Sequence, residues 1–269
     1  ASDVYKRQIL FVSAISVSVN AADYEMRSEF IYCELNDGMT LKDAADQAKE
    51  YGKFSKQAGT KYIQSMLVPI HAGQVDYDYI LWGSWPDGKA MYDEWGSYLN
   101  DYDESFTTMD EDSSSESASE CKSRIAAFHT GVISNTKDMS DPDNRRPVQF
   151  SGCSLKDGVS IEDVHKYMEE DGKLMTKFGF TGWSRGTFSP YLGFEPDYPY
   201  DFVDMIFWHS FDERGNMANN YGDFVEKYPD MSGLTVGTTP CITLPDPPSI
   251  VIVSPSLITK SPTLNSLLS

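Results

Sequence analysis

Hydrophobic and polar positions follow one order twice along the chain: strand, helix, strand, strand, helix, strand. In the first copy, alternation predicts strands at residues 29–35, 61–68, 77–85 and 123–133, with helices after residue 40 and around 91–99. The second copy predicts strands at 148–155, 183–188 and 200–208, with helices after residue 160 and around 217–225. A fourth strand is missing from its pattern, because only residues 242–244 follow Cys241 before a proline.

The two copies also match residue by residue. Cys33-Glu-Leu-Asn-Asp-Gly-Met-Thr40 aligns with Cys153-Ser-Leu-Lys-Asp-Gly-Val-Ser160 at an offset of 120 residues. In both copies, the Thr or Ser that ends this segment is a candidate N-cap, with an Asp three residues later. Gly59 and Gly179 are candidate helix C-caps. The chain therefore contains an internal duplication.

The four cysteines follow the same duplication. Cys33 and Cys121 are 88 residues apart, and so are Cys153 and Cys241. Four cysteines allow three pairings, and in an exported protein the duplication favours one bridge within each copy, Cys33 with Cys121 and Cys153 with Cys241. A zinc site of four thiolates is the alternative, although the sequence lacks the Cys-x-x-Cys spacing typical of such sites.

The order βαββαβ is the ferredoxin-like motif, in which the first and fourth strands are antiparallel neighbours. This topology brings together Cys33, which ends the first predicted strand, and Cys121, which begins the fourth. Two fused copies resemble the dimeric α+β barrel superfamily, and the cysteine segment resembles uncharacterised secreted bacterial proteins. The resemblance implies an α+β fold of two tandem ferredoxin-like repeats whose sheets face each other, with a monomer acting as a pseudo-dimer. The superfamily includes antibiotic-biosynthesis monooxygenases, haem-degrading monooxygenases and dye-decolorising peroxidases, but no family motif with assigned catalytic residues matches this chain.

Composition divides the chain into four segments. Residues 9–21 are apolar and end in Val-Asn-Ala, which is typical of a signal peptide, and residues 3–8 resemble a translated sequencing adapter. We assign residues 1–22 to this leader, 23–140 to the first repeat, 141–244 to the second repeat and 245–269 to a disordered or aberrant tail. This division predicts export to a periplasm or the extracellular space, with no integral membrane segment after cleavage.

The charge of the chain excludes one class of partner. Lys and Arg number 22 against 41 Asp and Glu, giving a net charge of −19, so we expect no nucleic-acid binding. Aromatic residues make up 13% of the chain and can line a site for a small apolar or aromatic molecule.

Three tryptophans on predicted strand faces, Trp85, Trp183 and Trp208, are the candidate lining of a cavity between the two sheets. Alternation puts Asp204 on the face of Trp208, and Arg185 on the face of Trp183. Burial would raise the pKa of Asp204, whereas a nearby Arg185 would lower it. The pair could bind a polar ligand, act in acid/base chemistry or form a structural ion pair.

His129, on the predicted fourth strand, is the histidine best placed to face the barrel, as a base or a haem ligand. None of the histidines has metal-ligand spacing, so we expect no metal site, and the cofactor is unassigned. The sequence also lacks serine hydrolase, nucleotide-binding and zinc protease motifs. We therefore expect small-molecule binding between the sheets. The alternatives are a cofactorless or haem-dependent monooxygenase-like enzyme and a structural module with a filled barrel.

Overall fold

The computed structural model describes residues 26–70, 75–102, 117–135, 145–229, 242–243 and 249–253. The first half contains β1 (Met26–Leu35), α1 (Leu41–Gln57), β2 (Ile63–Pro69), β3 (Tyr79–Trp85), α2 (Gly88–Ser97), a π-helical turn (Tyr98–Tyr102) and β4 (Ser119–Ser134). The second half contains β5 (Arg145–Cys153), α3 (Ile161–Phe178), β6 (Trp183–Leu192), β7 (Phe202–Trp208), α4 (Phe211–Lys227), β8 (Ile242–Thr243) and β9 (Ser249–Val253). None of the helices in these ranges has the length and hydropathy needed to cross a membrane.

The strands form one closed antiparallel barrel. Hydrogen-bonded neighbours follow in the order β7, β6, β4, β1, β3, β2, β9 and β5, and β5 pairs with β7 to close the circle. The last long strand of each half also pairs with the other half, since β4 pairs with β6 and β9 pairs with β2. The chain is a fused dimeric α+β barrel of two ferredoxin-like repeats, as the sequence predicts.

Matching cap residues make the two repeats fold alike locally. Thr40 precedes α1 and Ser160 precedes α3, and each forms a reciprocal capping box with the Asp three residues later. The predicted C-cap Gly179 ends α3 in the left-handed conformation. In the first repeat the cap is Ala58 instead, and Gly59 follows it with a φ of 72°. The local signals in the sequence therefore set the ends of the helices to within one residue.

Residues 249–253 correct the expectation for the end of the chain. The sequence pattern assigns residues 245–269 to a tail and shows no fourth strand in the second copy, whereas Ser249–Val253 forms β9 between β2 and β5. The physical reason is hydrogen bonding, because without β9 the facing edges of β2 and β5 would be unpaired. The predicted leader and the rest of the tail lie outside the described residues.

The predicted bridge between Cys33 and Cys121 is present. The two residues are partners across β1 and β4, next to an irregularity in the pairing, and their sulfur atoms are bonded at 2.04 Å. Cys153 is also disulfide-bonded, and its predicted partner Cys241 lies outside the described residues. The zinc alternative is wrong for Cys33 and Cys121, because a disulfide leaves neither of them a thiolate to donate.

Apolar side chains make up most of both faces of the barrel wall. Buried side chains from both halves form the inner core: Phe30, Leu67, Ile80, Ala127, Val148, Phe150, Phe188, Met205 and Phe207. The ring centroid of Phe30 lies 5.9 Å from that of Phe150 and 5.1 Å from that of Phe188, so the rings of the two halves meet inside. The helices cover the outer face, where Trp183 and Trp208 belong to a separate cluster. The centre of the barrel is therefore occupied by side chains.

Candidate functional site

The three predicted tryptophans lie outside the barrel. Trp85, Trp183 and Trp208 are at most 2% exposed and pack between the sheet and the helices. On β3 it is Ile80 and Trp82 that face the inner core. This corrects the expectation that the face of Trp85 lines the barrel. Both faces of these strands are apolar, so alternation separates the two faces without showing which of them is inside.

Arg185 and Asp204 form a pair, but it lies under α3 rather than in the barrel. Nε and Nη2 of Arg185 donate to the two carboxylate oxygens of Asp204, each at 2.9 Å. Nη1 donates to Asp171 of α3 at 3.0 Å. Burial disfavours the Arg185 cation, but the two carboxylates outweigh this effect and raise its pKa. Burial also raises the pKa of Asp171. These contacts support the structural ion pair among the three roles considered for Arg185 and Asp204.

The first half contains a different polar cluster on its outer face, which the sequence pattern does not reveal. Tyr62 donates a hydrogen bond to Oε1 of Glu29 at 2.8 Å and accepts one from Gln64 at 2.9 Å. Glu29 is 4% exposed, and its Oε2 lies 3.6 Å from Nε of Arg124. A Cβ on Gly83 would lie 2.1 Å from the Tyr62 hydroxyl, so this glycine makes room for the ring. A glycine inside a strand was the signal available in the sequence.

We expect Glu29→Gln to stabilise the protein by about 1 kcal/mol at pH 7. Burial raises the pKa of Glu29, so ionisation of this carboxyl in the folded state lowers stability as the pH rises through that pKa. Glutamine cannot ionise, and its amide oxygen can still accept the hydrogen bond from Tyr62. Urea unfolding between pH 4 and 8 should show a gain that grows with pH. A loss of stability at pH 7 would show that the attraction between Glu29 and Arg124 outweighs the cost of burying the Glu29 charge.

His129 lies inside the barrel, as the sequence predicts. It is 8% exposed, and its ring centroid lies 4.4 Å from that of Phe188. Its Nδ1 lies 3.1 Å from Oγ of Ser28. The same Oγ accepts a hydrogen bond from Nε1 of Trp82 at 3.2 Å and lies 2.7 Å from Oγ of Ser84. Burial lowers the pKa of His129 to about 3, so the imidazole is neutral at physiological pH. Nothing in the sequence pattern indicates the two serines or Trp82 as neighbours of His129.

The second ring nitrogen of His129 points away from this network. Its Nε2 makes no hydrogen bond to a described residue. A Cβ added to Gly186 of β6 would lie 3.6 Å from that nitrogen. Gly186 pairs with Gly131 of β4, which is exposed. The unused imidazole nitrogen therefore faces a stretch of barrel wall that carries no side chains.

The contact between Ser28 and His129 is not repeated in the second half of the duplication. By strand register, Ser28 of β1 corresponds to Val148 of β5. His129 of β4 corresponds to Val251 of β9 in the same way. Burying a polar group costs free energy unless the group is hydrogen-bonded. The second half has valine at both positions, so it does not repeat the contact between Ser28 and His129.

The surroundings of His129 do not fit a haem. An iron atom on Nε2 would centre a large macrocycle there, and the backbone of Gly186 already lies close to that nitrogen. A Cβ on Gly186 would come within 2.7 Å of the Thr130 carbonyl oxygen, so β4 and β6 are closely packed at position 186. The ring of Phe188 lies against the imidazole as well. Across the part of the chain that is described, no group of three or more His, Cys, Asp or Glu side chains could hold a metal ion. We therefore derive no step through haem.

Comparisons with known proteins give distant structural likeness. No family model and no curated protein matches the chain. An anthrone oxidase-like protein aligns with a TM-score of 0.49 and 9% identity, covering 87% of this chain and 93% of that one. A chlorite dismutase from Candidatus Nitrospira defluvii aligns with a TM-score of 0.46 and 9% identity, covering 90% and 95%. Likeness at this level assigns no activity to the chain.

Proposed function

We propose that this chain binds a small, uncharged, apolar or aromatic molecule with one hydroxyl or carbonyl group at the His129 end of the barrel. The observation that carries the proposal is Nε2 of His129, a neutral polar atom that has no described hydrogen-bond partner and belongs to a buried imidazole beside the rings of Phe188 and Trp82. Such sites take apolar ligands and orient them through a few polar contacts. A charged ligand would lose its hydration in this setting.

A cofactorless oxygenase-like enzyme is the second candidate, and it would use the same site. The observation that favours it is the contact of Nδ1 with Ser28. If Ser28 accepts the Nδ1–H, Nε2 carries the lone pair and can take the hydroxyl proton of a bound substrate. The low pKa of His129 opposes this transfer, because a good general base has a pKa near the working pH. Binding without catalysis is therefore the function that the geometry supports best.

The filled-barrel alternative applies to the centre of the barrel. There, Phe30, Phe150 and Phe188 meet from the two halves. The site proposed here lies beside this aromatic layer, at the end of the barrel that contains His129 and Gly131.

We also propose that the protein is exported and acts as a monomer. The disulfide between Cys33 and Cys121 supports export, because such bonds persist in oxidising compartments. The barrel closes with strands of one chain, which supports a monomer that takes the place of a dimer. Size-exclusion chromatography with light scattering would test the second point, and a dimer mass would contradict it.

We expect p-cresol to bind at least tenfold more tightly than toluene. The two molecules have similar shapes, and the cresol hydroxyl adds a hydrogen bond to Nε2 of His129 in a buried setting. NMR titration of protein labelled with ¹⁵N at histidine would give both affinities and would show which nitrogen shifts. The same spectra should show a neutral His129 from pH 8 down to pH 5, because burial lowers its pKa to about 3.

Two variants control this experiment. His129→Phe removes the polar atom and should bind p-cresol and toluene equally. His165→Phe is the matched control, because His165 lies on α3 and its Nε2 is hydrogen-bonded to Thr187 on the outer face. This variant should keep the preference for p-cresol. Equal affinities for the two probes in the unmodified protein would refute the proposal.

A further inference from the structure

We propose that Gly131 and Gly186 form the mouth through which the ligand reaches Nε2 of His129, and that Gly131 limits the size of the ligand. This inference rests on the proposed function, since it assigns the access route and a specificity-determining residue of the same site.

The strand register places the two glycines on the inner face of the barrel wall. His129 pairs with Phe188, and two residues further along the strands Gly131 pairs with Gly186, with no irregularity between the two pairs. Side chains two residues apart on a strand point to the same side. Because His129 and Phe188 point inward, a side chain at position 131 or 186 would also point inward.

Gly186 is a glycine for a packing reason. A Cβ there would lie 2.7 Å from the carbonyl oxygen of Thr130, closer than real Cβ atoms come to a backbone oxygen. The neighbouring strand therefore excludes a side chain at this position. As a result, nothing from β6 covers Nε2 of His129 at this point.

Gly131 has no such packing reason. It is exposed, and a Cβ added to it would meet no atom within 4 Å. Gly131 does not have a positive φ, so residues other than glycine can adopt its backbone conformation. A bulge follows between Gly131 and Ile133, but with an ordinary φ the bulge does not require glycine. A Cβ on Gly186 would lie 3.5 Å from Cα of Gly131 and 3.6 Å from Nε2 of His129, so the space left open at position 131 is close to that nitrogen.

This opening has the chemistry of a mouth for a narrow, flat molecule. Gly131 is exposed and Gly186 is buried beside it, so an aromatic ring can lie over the bare backbone at Gly131 while its hydroxyl reaches towards Nε2. Nε2 itself belongs to a residue that is 92% buried, so the polar contact lies below the surface. The Cβ of a leucine at position 131 would meet no atom within 4 Å, so this position can carry a side chain that extends into the opening.

Modification by diethyl pyrocarbonate tests access to His129 without the ligand. Nε2 attacks one carbonyl carbon of the reagent, the ethoxycarbonyl group stays on the nitrogen, and ethyl carbonate leaves as carbon dioxide and ethanol. We expect His129 to be modified in the folded protein and Gly131→Leu to slow this modification at least tenfold, measured by peptide mass mapping over time. Modification of His165 in the same samples is the internal reference, because its Nε2 is hydrogen-bonded to Thr187.

Gly222→Leu is the matched control, because Gly222 is an exposed glycine of α4 whose added Cβ also meets no atom within 4 Å. It should leave the rate at His129 unchanged, and near-UV circular dichroism should show all variants folded. Equal rates of His129 modification in the unmodified protein and in Gly131→Leu would contradict the proposal of a mouth. A His129 that does not react in the folded protein would contradict it as well.

Titration with p-cresol separates failure of the mouth from failure of the proposed function. If Gly131→Leu slows the modification of His129 but the unmodified protein binds p-cresol and toluene equally, the mouth is supported and the proposed function is rejected. Tight p-cresol binding that Gly131→Leu leaves unchanged would keep the proposed function and reject the mouth.

Discussion

Replacing Arg185 with methionine is expected to lower the free energy of unfolding by about 3 to 5 kcal/mol at pH 7. Arg185 makes all three of the charged hydrogen bonds that join Asp204 on β7 to Asp171 on α3. The side chains are only 9 to 11% exposed, so the variant leaves two carboxylates buried without their cation. Urea unfolding followed by circular dichroism would measure the loss.

The pH dependence of this loss follows from the same geometry. Without Arg185, burial and repulsion from Asp204 hold the pKa of Asp171 above its unfolded value. Groups with a raised folded-state pKa cost stability as the pH rises through that pKa, so the loss should be largest at pH 7 and smaller near pH 4. Protonation at pH 4 removes the uncompensated charge.

A triple variant controls for the size and shape of the arginine. Arg185→Met combined with Asp171→Asn and Asp204→Asn removes all three charges and should recover part of the lost stability. Asp171→Asn alone should cost less than Arg185→Met, because Arg185 keeps both bonds to Asp204. A loss below about 1 kcal/mol for Arg185→Met would show that its contacts with Asp171 and Asp204 contribute no more to stability than exposed ion pairs do.

Removing the disulfide between Cys33 and Cys121 is expected to cost about 4 to 5 kcal/mol in the chain-entropy account. The bridge spans 88 residues and joins β1 to β4, so it closes a loop that contains almost the whole first half. Without the bridge, the unfolded chain gains conformations that the crosslink forbids. Both cysteines are replaced by alanine rather than serine. Cys33 is fully buried, and a serine there would place an unpaired hydroxyl in the core.

The experiment compares urea unfolding of the unmodified protein and the double alanine variant. A drop in the unfolding midpoint without loss of native near-UV circular dichroism would show that the native state is kept. Single variants are poor controls, because each would leave a free thiol. A difference of less than about 1 kcal/mol would contradict the entropic account and indicate that the first half is held by its core alone.

The candidate site was only partly predictable from the sequence. His129 was assigned to the inside of the barrel, and the structure places it there. Its partner Ser28 was missed because it lies 101 residues away in the chain and meets His129 only across β1 and β4. The sequence offers Arg185 as a possible partner of Asp204, and the two side chains are hydrogen-bonded across neighbouring strands of one repeat. Their position on the outer face was not predictable, because both faces of that sheet are apolar.

The sequence by itself determined the repeat, the order of the elements from β1 to α4 and the N-caps of α1 and α3, and it favoured the pairing of Cys33 with Cys121. These depend on short-range chemistry, such as cap residues and alternation, or on a comparison of the chain with itself. Only the tertiary structure decided which face of each strand is inside, where β9 pairs and that Nε2 of His129 faces two glycines. These features arise when strands far apart in sequence close the barrel, because the closure assigns each strand its neighbours and each face its surroundings.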